Sequence, residues 1–180
     1  TLEIIEHYRK SYPIKFISEQ DDGIAEAFNK GIKLSTGDWI IFLGAGDEFI
    51  HQNVLFDVSS ELETRPSSLV VWGNIVFINE ERKIGKSVSG RFHKHRLKRY
   101  MCMPHQATFT NRSLFEKYGL FNIEYKCSMD YDLLLRCLPE IKPNNYLDYD
   151  ISYMLIGGIS DQGQAAIKDY RDSQINNKIW

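Results

Sequence analysis

The chain has 180 residues, of which 43% are hydrophobic, and its 22 Lys and Arg against 24 Asp and Glu leave a formal net charge of −2. These values are typical of one ordinary globular domain, and they exclude a disordered chain, a disulfide-stapled mini-protein and a protein that coats nucleic acid. No apolar stretch approaches the roughly 20 residues of a membrane-spanning helix. Three cysteines without CxxC or Cys/His spacing predict neither a disulfide framework nor a zinc site, and they favour a reducing cytoplasm.

Hydrophobic periodicity predicts alternating helices and strands in the first half of the chain. The predicted helices are 2–10, 23–34 and 54–62, and the predicted strands are 14–18, 39–43 and 69–78. The run 39–43 is apolar throughout, which is typical of a parallel strand buried on both faces. This order predicts an α/β fold, a Rossmann-like three-layer α/β/α sandwich around a mostly parallel sheet. An open sheet that begins with a helix is unusual, so we expect its first strand to precede Thr1.

The second half of the chain has weaker patterns, which still predict helices and strands. They are a strand at 107–109, a helix at 113–118 closed by Gly119, a helix at 130–138 ended by Pro139, a strand at 146–156 and a polar helix at 164–179. No internal repeat or linker divides the sequence, which favours one domain over residues 1–180.

A basic block, Arg82 to Arg99, lies between the two halves. It contains eight Lys or Arg together with His93 and His95, and it contains no acid. A solvated surface and a contact with phosphate or an anionic membrane explain this block equally well.

The loop 43–48 follows a predicted buried strand, and ligands bind at the carboxyl ends of strands in open α/β sheets. Gly44 and Gly46 allow a ligand to approach the backbone closely, and Asp47 offers a carboxylate for a hard divalent cation. An equally good explanation is a turn in which Asp47 caps the helix that follows. Spacing alone does not choose between these two readings.

Other candidate residues have a structural explanation beside the functional one. Asp130 and Asp132 stand in the first turn of an apolar helix, where such a carboxylate is kept ionised and can accept a proton from a positioned hydroxyl. Capping is the simpler explanation from spacing alone, and it also explains Asp21 better than a ligand contact does. A histidine such as His105, with Gln106 beside it, is more often a structural residue than a ligand.

Three segments, taken in order, resemble the family 2 inverting glycosyltransferases with a GT-A fold. The segments are SEQDDGIAEAFNKGIKLSTGDWIIFLGAGDEF, PHQATFTNRSLFEKYGLF and SMDYDLLLRCL. The resemblance covers nearly the whole chain and is strongest to the bacterial enzymes that assemble capsular, exopolysaccharide or O-antigen repeats. It implies a single GT-A domain whose opening strand lies outside the sequence.

The resemblance implies a role for each candidate residue. Asp130 corresponds to the catalytic base, and Asp47 to the last acid of the metal loop, which would bind Mg²⁺ or Mn²⁺. The positions that match substrate-binding segments are Asp21, Asn29, His105, Gln106, Asp132 and Gly158. The metal loop departs from the family's Asp-x-Asp pattern, because residues 44–46 leave only Asp47 and Glu48 there.

The activity implied is transfer of a sugar from a nucleotide-diphosphate sugar to a saccharide or polyprenyl-linked acceptor, with inversion at the anomeric carbon. Among such donors, a UDP-sugar is the one that we expect. The basic block would hold a lipid-linked diphosphate or contact the inner face of the plasma membrane from the cytoplasm. The departure in the metal loop keeps a second hypothesis open, a non-catalytic module that binds a sugar or a partner. A nucleotidyltransferase is disfavoured because no Gly-rich, basic phosphate loop stands near the start.

Overall fold

The computed structural model describes residues 1–157 and 163–179, and the elements below are those of that part of the chain. The helices are α1 (Leu2–Arg9), α2 (Ile24–Leu34), α3 (Val54–Glu63), α4 (Lys94–Leu97), α5 (Arg112–Tyr118), α6 (Met129–Arg136) and α7 (Gly163–Asn176). The strands are β1 (Trp39–Ile40), β2 (Glu48–Phe49), β3 (Val70–Ile78), β4 (Ile84–Val88), β5 (Thr108–Asn111) and β6 (Tyr146–Leu155). Short 3-10 helices span His105–Ala107, Leu138–Glu140 and Pro143–Asn145.

The strands form one mixed sheet in the order β1-β5-β3-β6-β2, and β4 also pairs with β3. Among the described strands, β3 and β6 are the parallel pair, and every other pair is antiparallel. The expectation of a mostly parallel sheet is therefore corrected. An apolar run reports that a strand is buried on both faces, but it does not report the direction of the neighbouring strands.

Strand β3 lies at the centre of the sheet, and nearly all of its residues are buried. Its side chains alternate between two apolar clusters, so that Val70 and Trp72 face one cluster while Val71 and Ile75 face the other. Helices α2, α5 and α6 cover the first cluster, and α3 covers the second. The predicted three-layer α/β/α arrangement is therefore confirmed.

Two predicted strands differ from the structure. Residues 14–18 do not form a strand, because no described segment pairs with them and a strand requires a ladder of backbone hydrogen bonds. The predicted strand 39–43 shortens to β1, since the chain leaves the sheet after Ile40 and Phe42 packs among aromatic rings instead. Burial explains why this run is apolar throughout, although most of it is not paired.

The other predicted helices and strands form where the sequence places them, with ends that differ by a few residues. Helix α6, for example, ends at Arg136, and Pro139 lies in the 3-10 helix that follows. Helix α1 also forms, but none of its residues is buried. Within residues 1–157 and 163–179, no helix combines the length and the apolar character needed to cross a membrane.

Candidate functional site

A cleft opens beside the 3-10 helix His105–Ala107 and the first turn of α6, and it consists of two adjoining pockets. The loop-side pocket, of about 280 Å³, is lined by the loop 44–47, by α2 and by the end of β6. The helix-side pocket, of about 400 Å³, is lined by β3, by the segment 96–104 and by α7. The residues that line both pockets, and so form their boundary, are His105, Gln106, Cys127, Asp130 and Met154.

Asp130 reaches this boundary because it is the second residue of α6, which begins at Met129. Its Oδ1 accepts a hydrogen bond of 2.8 Å from the backbone N–H of Tyr131. No cation among the described residues forms an ion pair with this carboxylate. The group can therefore accept a proton from a hydroxyl placed in the cleft.

His105 is surrounded by aromatic rings. It stacks on Phe42, with ring centroids 5.2 Å apart and planes at 20°, and it also contacts Phe28 at 5.6 Å and Phe121 at 5.8 Å. Burial lowers the pKa of His105, although the nearby negative charge of Asp130 acts in the opposite direction. The imidazole is therefore neutral at pH 7, and it offers one N–H donor and one acceptor nitrogen to a ligand in the cleft.

Gln106 is held in place through its backbone. The hydroxyl of Ser152 in β6 donates a hydrogen bond of 2.7 Å to the Gln106 carbonyl oxygen, and the next residue, Ala107, is fully buried. These contacts anchor the 3-10 helix on the sheet and leave the side chains of His105 and Gln106 on the cleft. Substrate contact by these two residues, which the sequence predicts, is compatible with this position and stays a prediction.

Asp47 holds its own loop together. Its Oδ2 accepts a hydrogen bond of 2.9 Å from the N–H of Gly44, and its Oδ1 accepts one of 3.0 Å from the N–H of Leu155 at the end of β6. Gly46 completes the turn at a φ of 91°, where a Cβ would lie 2.6 Å from Cδ2 of Leu155. The turn that the sequence left open as an alternative is therefore present, and it brings Asp47 to the wall of the loop-side pocket. The capping part of that alternative is wrong, because Asp47 bonds to Gly44 and Leu155 and the next helix, α3, begins only at Val54.

The described residues do not form a metal site by themselves. No group of three or more His, Cys, Asp or Glu side chains converges in that part of the chain. Both oxygens of Asp47 already accept backbone hydrogen bonds. Because Mg²⁺ is commonly held by one or two carboxylates together with substrate phosphates, binding of Mg²⁺ or Mn²⁺ at Asp47 stays a prediction that depends on the donor.

Asn29 and Asp132 lie outside the cleft and bind protein groups. Asn29 Nδ2 donates to the carbonyl oxygen of Phe121 at 2.9 Å, and its Oδ1 accepts from the Phe121 N–H at 3.0 Å. Asp132 Oδ2 accepts from Arg136 Nε at 2.8 Å, and its Oδ1 accepts from Asn177 Nδ2 at 3.0 Å. Both side chains are buried, so this geometry does not support the substrate contacts predicted for them.

Asp21 lines a separate groove, where its Oδ1 lies 2.6 Å from Lys30 Nζ. Glu19 and Glu26 contact the same ammonium group. The hydrogen bonds that Lys30 donates, the one to Asp21 above all, raise the pKa of Lys30. Asp21 and Asp130 are therefore not brought together, and the nucleotide contact of Asp21 stays a prediction. Gly158 lies outside the described residues.

Tyr170 is a cleft residue that the sequence reasoning missed. It stands on α7, lines the helix-side pocket and packs on Tyr131, with ring centroids 4.4 Å apart. Burial, and then the charge of Asp130, raise the pKa of Tyr170, so the phenol is protonated at pH 7. Gln174 lies four residues after Tyr170 and therefore on the same face of α7. This spacing was the signal in the sequence that could have indicated that this face of α7 packs against the rest of the protein.

Comparison with protein families matches residues 1–132 to the family described as Glycosyl transferase family 2. Among curated relatives, a PGL/p-HBAD biosynthesis glycosyltransferase of Mycobacterium bovis is 32% identical over 147 residues, which are 79% of this chain and 55% of the relative. An uncharacterized glycosyltransferase of Mycobacterium tuberculosis is 28% identical over 131 residues, or 70% of this chain and 48% of the relative. The chain spans about half the length of the curated relatives it matches.

Solved structures of S. aureus TarS have a similar fold. The structure of TarS 1–349 aligns with a TM-score of 0.69 at 17% identity, over 96% of this chain and 50% of that chain. The complex of the same protein with UDP-GlcNAc aligns with a TM-score of 0.67 at 16% identity, over 96% of this chain and 51% of that chain. At these identities the likeness establishes the fold alone.

Proposed function

Because the chain belongs to glycosyl transferase family 2, we propose that it moves a sugar from a nucleotide-diphosphate sugar to an acceptor hydroxyl, with Asp130 as the general base. The observation that carries this proposal is the position of Asp130, which lines both pockets of the cleft. A donor in one pocket and an acceptor in the other would meet at its carboxylate. The curated relatives, which are named as glycosyltransferases, support the same class of reaction.

The reaction we propose is a single displacement with inversion. Asp130 takes the proton of the acceptor hydroxyl while that oxygen forms a bond to the anomeric carbon of the donor sugar. On the opposite face, the bond from this carbon to the diphosphate oxygen breaks, and the nucleoside diphosphate leaves with the electron pair. The neutral imidazole of His105, beside Asp130, is placed to hydrogen-bond a sugar hydroxyl without competing for the proton.

We assign the donor to the loop-side pocket. The backbone of Gly44 and Ala45 is exposed there, and Lys126 lines the same pocket, with its Nζ donating to the Asp22 carbonyl oxygen at 2.9 Å. A cation held in this way offsets the charge of a leaving diphosphate. TarS was solved with UDP-GlcNAc, which supports a UDP-sugar as the donor. A divalent cation at Asp47 would neutralise further charge on the diphosphate when bound.

The test begins with calorimetric titration of UDP and GDP, each with and without Mn²⁺. We expect UDP to bind the wild type and Asp130→Asn equally, because Asp130 acts on the acceptor proton. Sugar transfer from labelled UDP-sugars should fall by about 10²–10⁴-fold in Asp130→Asn, which is the usual contribution of a general base. Nucleotide binding that requires Mn²⁺ would support a metal ligand role for Asp47.

The matched control is Asp57→Asn, which removes an acid from the first turn of α3 and thus from the opposite face of the sheet. It should leave both nucleotide binding and transfer unchanged. Full transfer by Asp130→Asn would exclude Asp130 as the base, and failure of the wild type to transfer any sugar despite UDP binding would contradict the proposed activity.

The second candidate is a non-catalytic module that binds a sugar or a partner. The observation that favours it is the use of both Asp47 oxygens to hold the loop and β6, in a loop whose sequence already lacks an Asp-x-Asp pair for a cation. This reading predicts ligand binding that is unaffected by Asp130→Asn, and no transfer by the wild type. The transfer assay therefore separates the two functions.

The acceptor and the cellular location are the finer part of the proposal. We place the protein at the cytoplasmic face of a membrane, with a saccharide or polyprenyl-linked saccharide as acceptor and the basic block on anionic lipids. Three of the eight cations in the block, Arg82, Lys83 and Arg91, contact nearby carboxylates and are partly neutralised. The Mycobacterium bovis relative is named for PGL/p-HBAD biosynthesis, and the Mycobacterium tuberculosis relative is named as uncharacterized, so capsule or exopolysaccharide assembly stays a prediction.

A further inference from the structure

A third pocket, which we call the basic pocket, lies beside α4. It measures about 390 Å³ and is lined by His95, Arg96, Lys98, Arg99, Tyr100 and Ile179. Within the described residues this lining includes no carboxylate, and Arg96, Lys98 and Arg99 form no ion pair. In the part of the chain that the structure describes, the pocket therefore carries positive charge without a compensating carboxylate, and such charge attracts an anion.

The basic pocket adjoins the acceptor side of the cleft. Arg96 and Tyr100 line the basic pocket and also the helix-side pocket, so these two side chains form a shared wall. They contact each other, with the guanidinium carbon of Arg96 5.5 Å from the centroid of the Tyr100 ring. A ligand that extends across Arg96 and Tyr100 would occupy the basic pocket and the helix-side pocket at once.

The basic pocket is also fixed in position relative to α6. Gln174 Nε2 on α7 donates to the carbonyl oxygens of Lys98 and Arg99, at 3.1 and 3.0 Å, and contacts the hydroxyl of Tyr131 at 3.1 Å. Tyr131 directly follows Asp130, and Leu97 of α4 is fully buried. One amide therefore links the backbone of the basic pocket to the helix that carries the proposed base.

We propose that the basic pocket is an anion subsite of the acceptor, which holds a phosphate or diphosphate group while the hydroxyl-bearing part of the same molecule lies in the helix-side pocket beside Asp130. This inference rests on the proposed transfer function and narrows its acceptor to an anionic one. The walls of the helix-side pocket are partly apolar and include Phe77, Met101 and Met154. Such walls suit the uncharged part of the acceptor better than its phosphate group.

Phosphate is the anion that this arrangement favours. Arginine presents a planar fork of donors that matches phosphate oxygens, and lysine adds a point charge. Arg96 is held by Tyr100, which reduces the loss of side-chain freedom on binding. The phosphate could belong to a water-soluble sugar phosphate or to a lipid carrier, and both present the same group to the pocket.

The test is titration of the full chain with phenyl phosphate, geranyl phosphate and benzyl alcohol at saturating UDP, so that the nucleotide site is filled. The pocket variant is Lys98→Gln with Arg99→Gln. The matched control is Lys83→Gln with Lys86→Gln, which removes the same charge from the same basic block without touching the pocket. Thermal unfolding and UDP titration of each variant establish that the fold and the nucleotide site are intact.

We expect the pocket variant to bind phenyl phosphate at least tenfold more weakly, and the control less than twofold more weakly. Benzyl alcohol should bind all three proteins alike. Geranyl phosphate that binds much more tightly than phenyl phosphate, and depends on the same two cations, would assign the phosphate to a lipid carrier. Equal binding of the two anions would assign it to a water-soluble acceptor, and both outcomes support the subsite.

Unchanged phenyl phosphate affinity in the pocket variant, or an equal loss in the control, would overturn the proposal. So would a pocket variant that loses binding to phosphatidylglycerol vesicles but not to phenyl phosphate, because the cations would then contact a membrane surface. Absence of UDP binding in the wild type would count against the transfer function. The phenyl phosphate titration would still test the anion subsite, so failures of the two proposals can be distinguished.

Discussion

Asp130 and Asp132 have the same side chain and lie two residues apart, yet their surroundings give them different tasks. The side chain of Asp132 is 5% exposed and bonded to Arg136, whereas Asp130 opens onto both pockets. A separation of two residues turns the side chains to different faces of the helix. The acid with protein partners stabilises the fold, and the acid without an ion-pair partner among the described residues is available for chemistry.

At the same scale, His105 links stability to pH. Burial lowers the pKa of His105 from its ordinary value of 6.5, so at acidic pH the unfolded chain binds a proton that the folded chain does not. The stability that the neutral ring provides is complete above pH 6.5 and is lost as the pH falls toward the folded-state pKa. As the pH falls below 6.5, we expect the Tm of the wild type to fall more steeply than that of His105→Gln.

The control for this prediction is His51→Gln, because His51 is exposed and lies outside the cleft. Its Tm should follow the wild-type curve across the same pH range. Parallel curves for wild type and His105→Gln would mean that the buried imidazole does not govern the loss of stability in acid.

The contact between α6 and α7 is the main feature at the scale of elements, because it completes the helix-side pocket. Asp169 Oδ2 accepts from the Cys127 N–H at 2.8 Å, just before α6, and Asn177 reaches Asp132 just after α7. Residues of α7 lie beyond the region that matches the family, which ends at position 132. The wall that Tyr170 gives to the cleft therefore comes from residues that the family match does not include.

Asp132→Asn tests how strongly this contact stabilises the protein. The substitution preserves shape but leaves Arg136 without its buried ionic partner, and we expect a loss of about 2 kcal/mol in the free energy of unfolding. Asp130→Asn makes the same chemical change two positions earlier, at a half-buried site, and should cost less than about 1 kcal/mol. Urea denaturation of both variants measures the difference, and equal losses would contradict the structural role of Asp132.

Sequence patterns predicted much of the molecule at this scale, for reasons that are physical. The apolar run of β3 and the amphipathic pattern of α2 report burial directly, and Gly119 ends α5 at a φ of 81°, a conformation that favours glycine. The same patterns do not encode strand direction, so the mixed sheet was missed. They also do not encode polar contacts between distant segments, such as that of Asn29 with Phe121.

The candidate site was predictable in part for the same reason. His105, Gln106 and Asp130 line the cleft together, and the resemblance to the family singled them out. Spacing alone favoured a structural role for His105 and capping for Asp130. For Asp47 the sequence left a cation site and a turn equally open, and it did not predict that the two oxygens hold Gly44 and Leu155, the second of which lies 108 positions away. Contacts over such separations depend on the finished fold, which a local motif does not describe.

At the scale of the whole molecule, stability is unevenly distributed, and hydrogen exchange should reveal it. Helix α1 contains no buried residue, and its apolar side chains Leu2 and Ile4 are 51% and 62% exposed, whereas Val71 and Trp72 in β3 are completely buried. Opening α1 exposes little additional apolar surface, so its amides can exchange by local fraying, while those of β3 require global unfolding. Mass spectrometry should find α1 exchanged within seconds and β3 protected for far longer. Protection of α1 that matches that of β3 would mean that the apolar face of α1 is covered in solution. The prediction that stability is unevenly distributed would then be wrong.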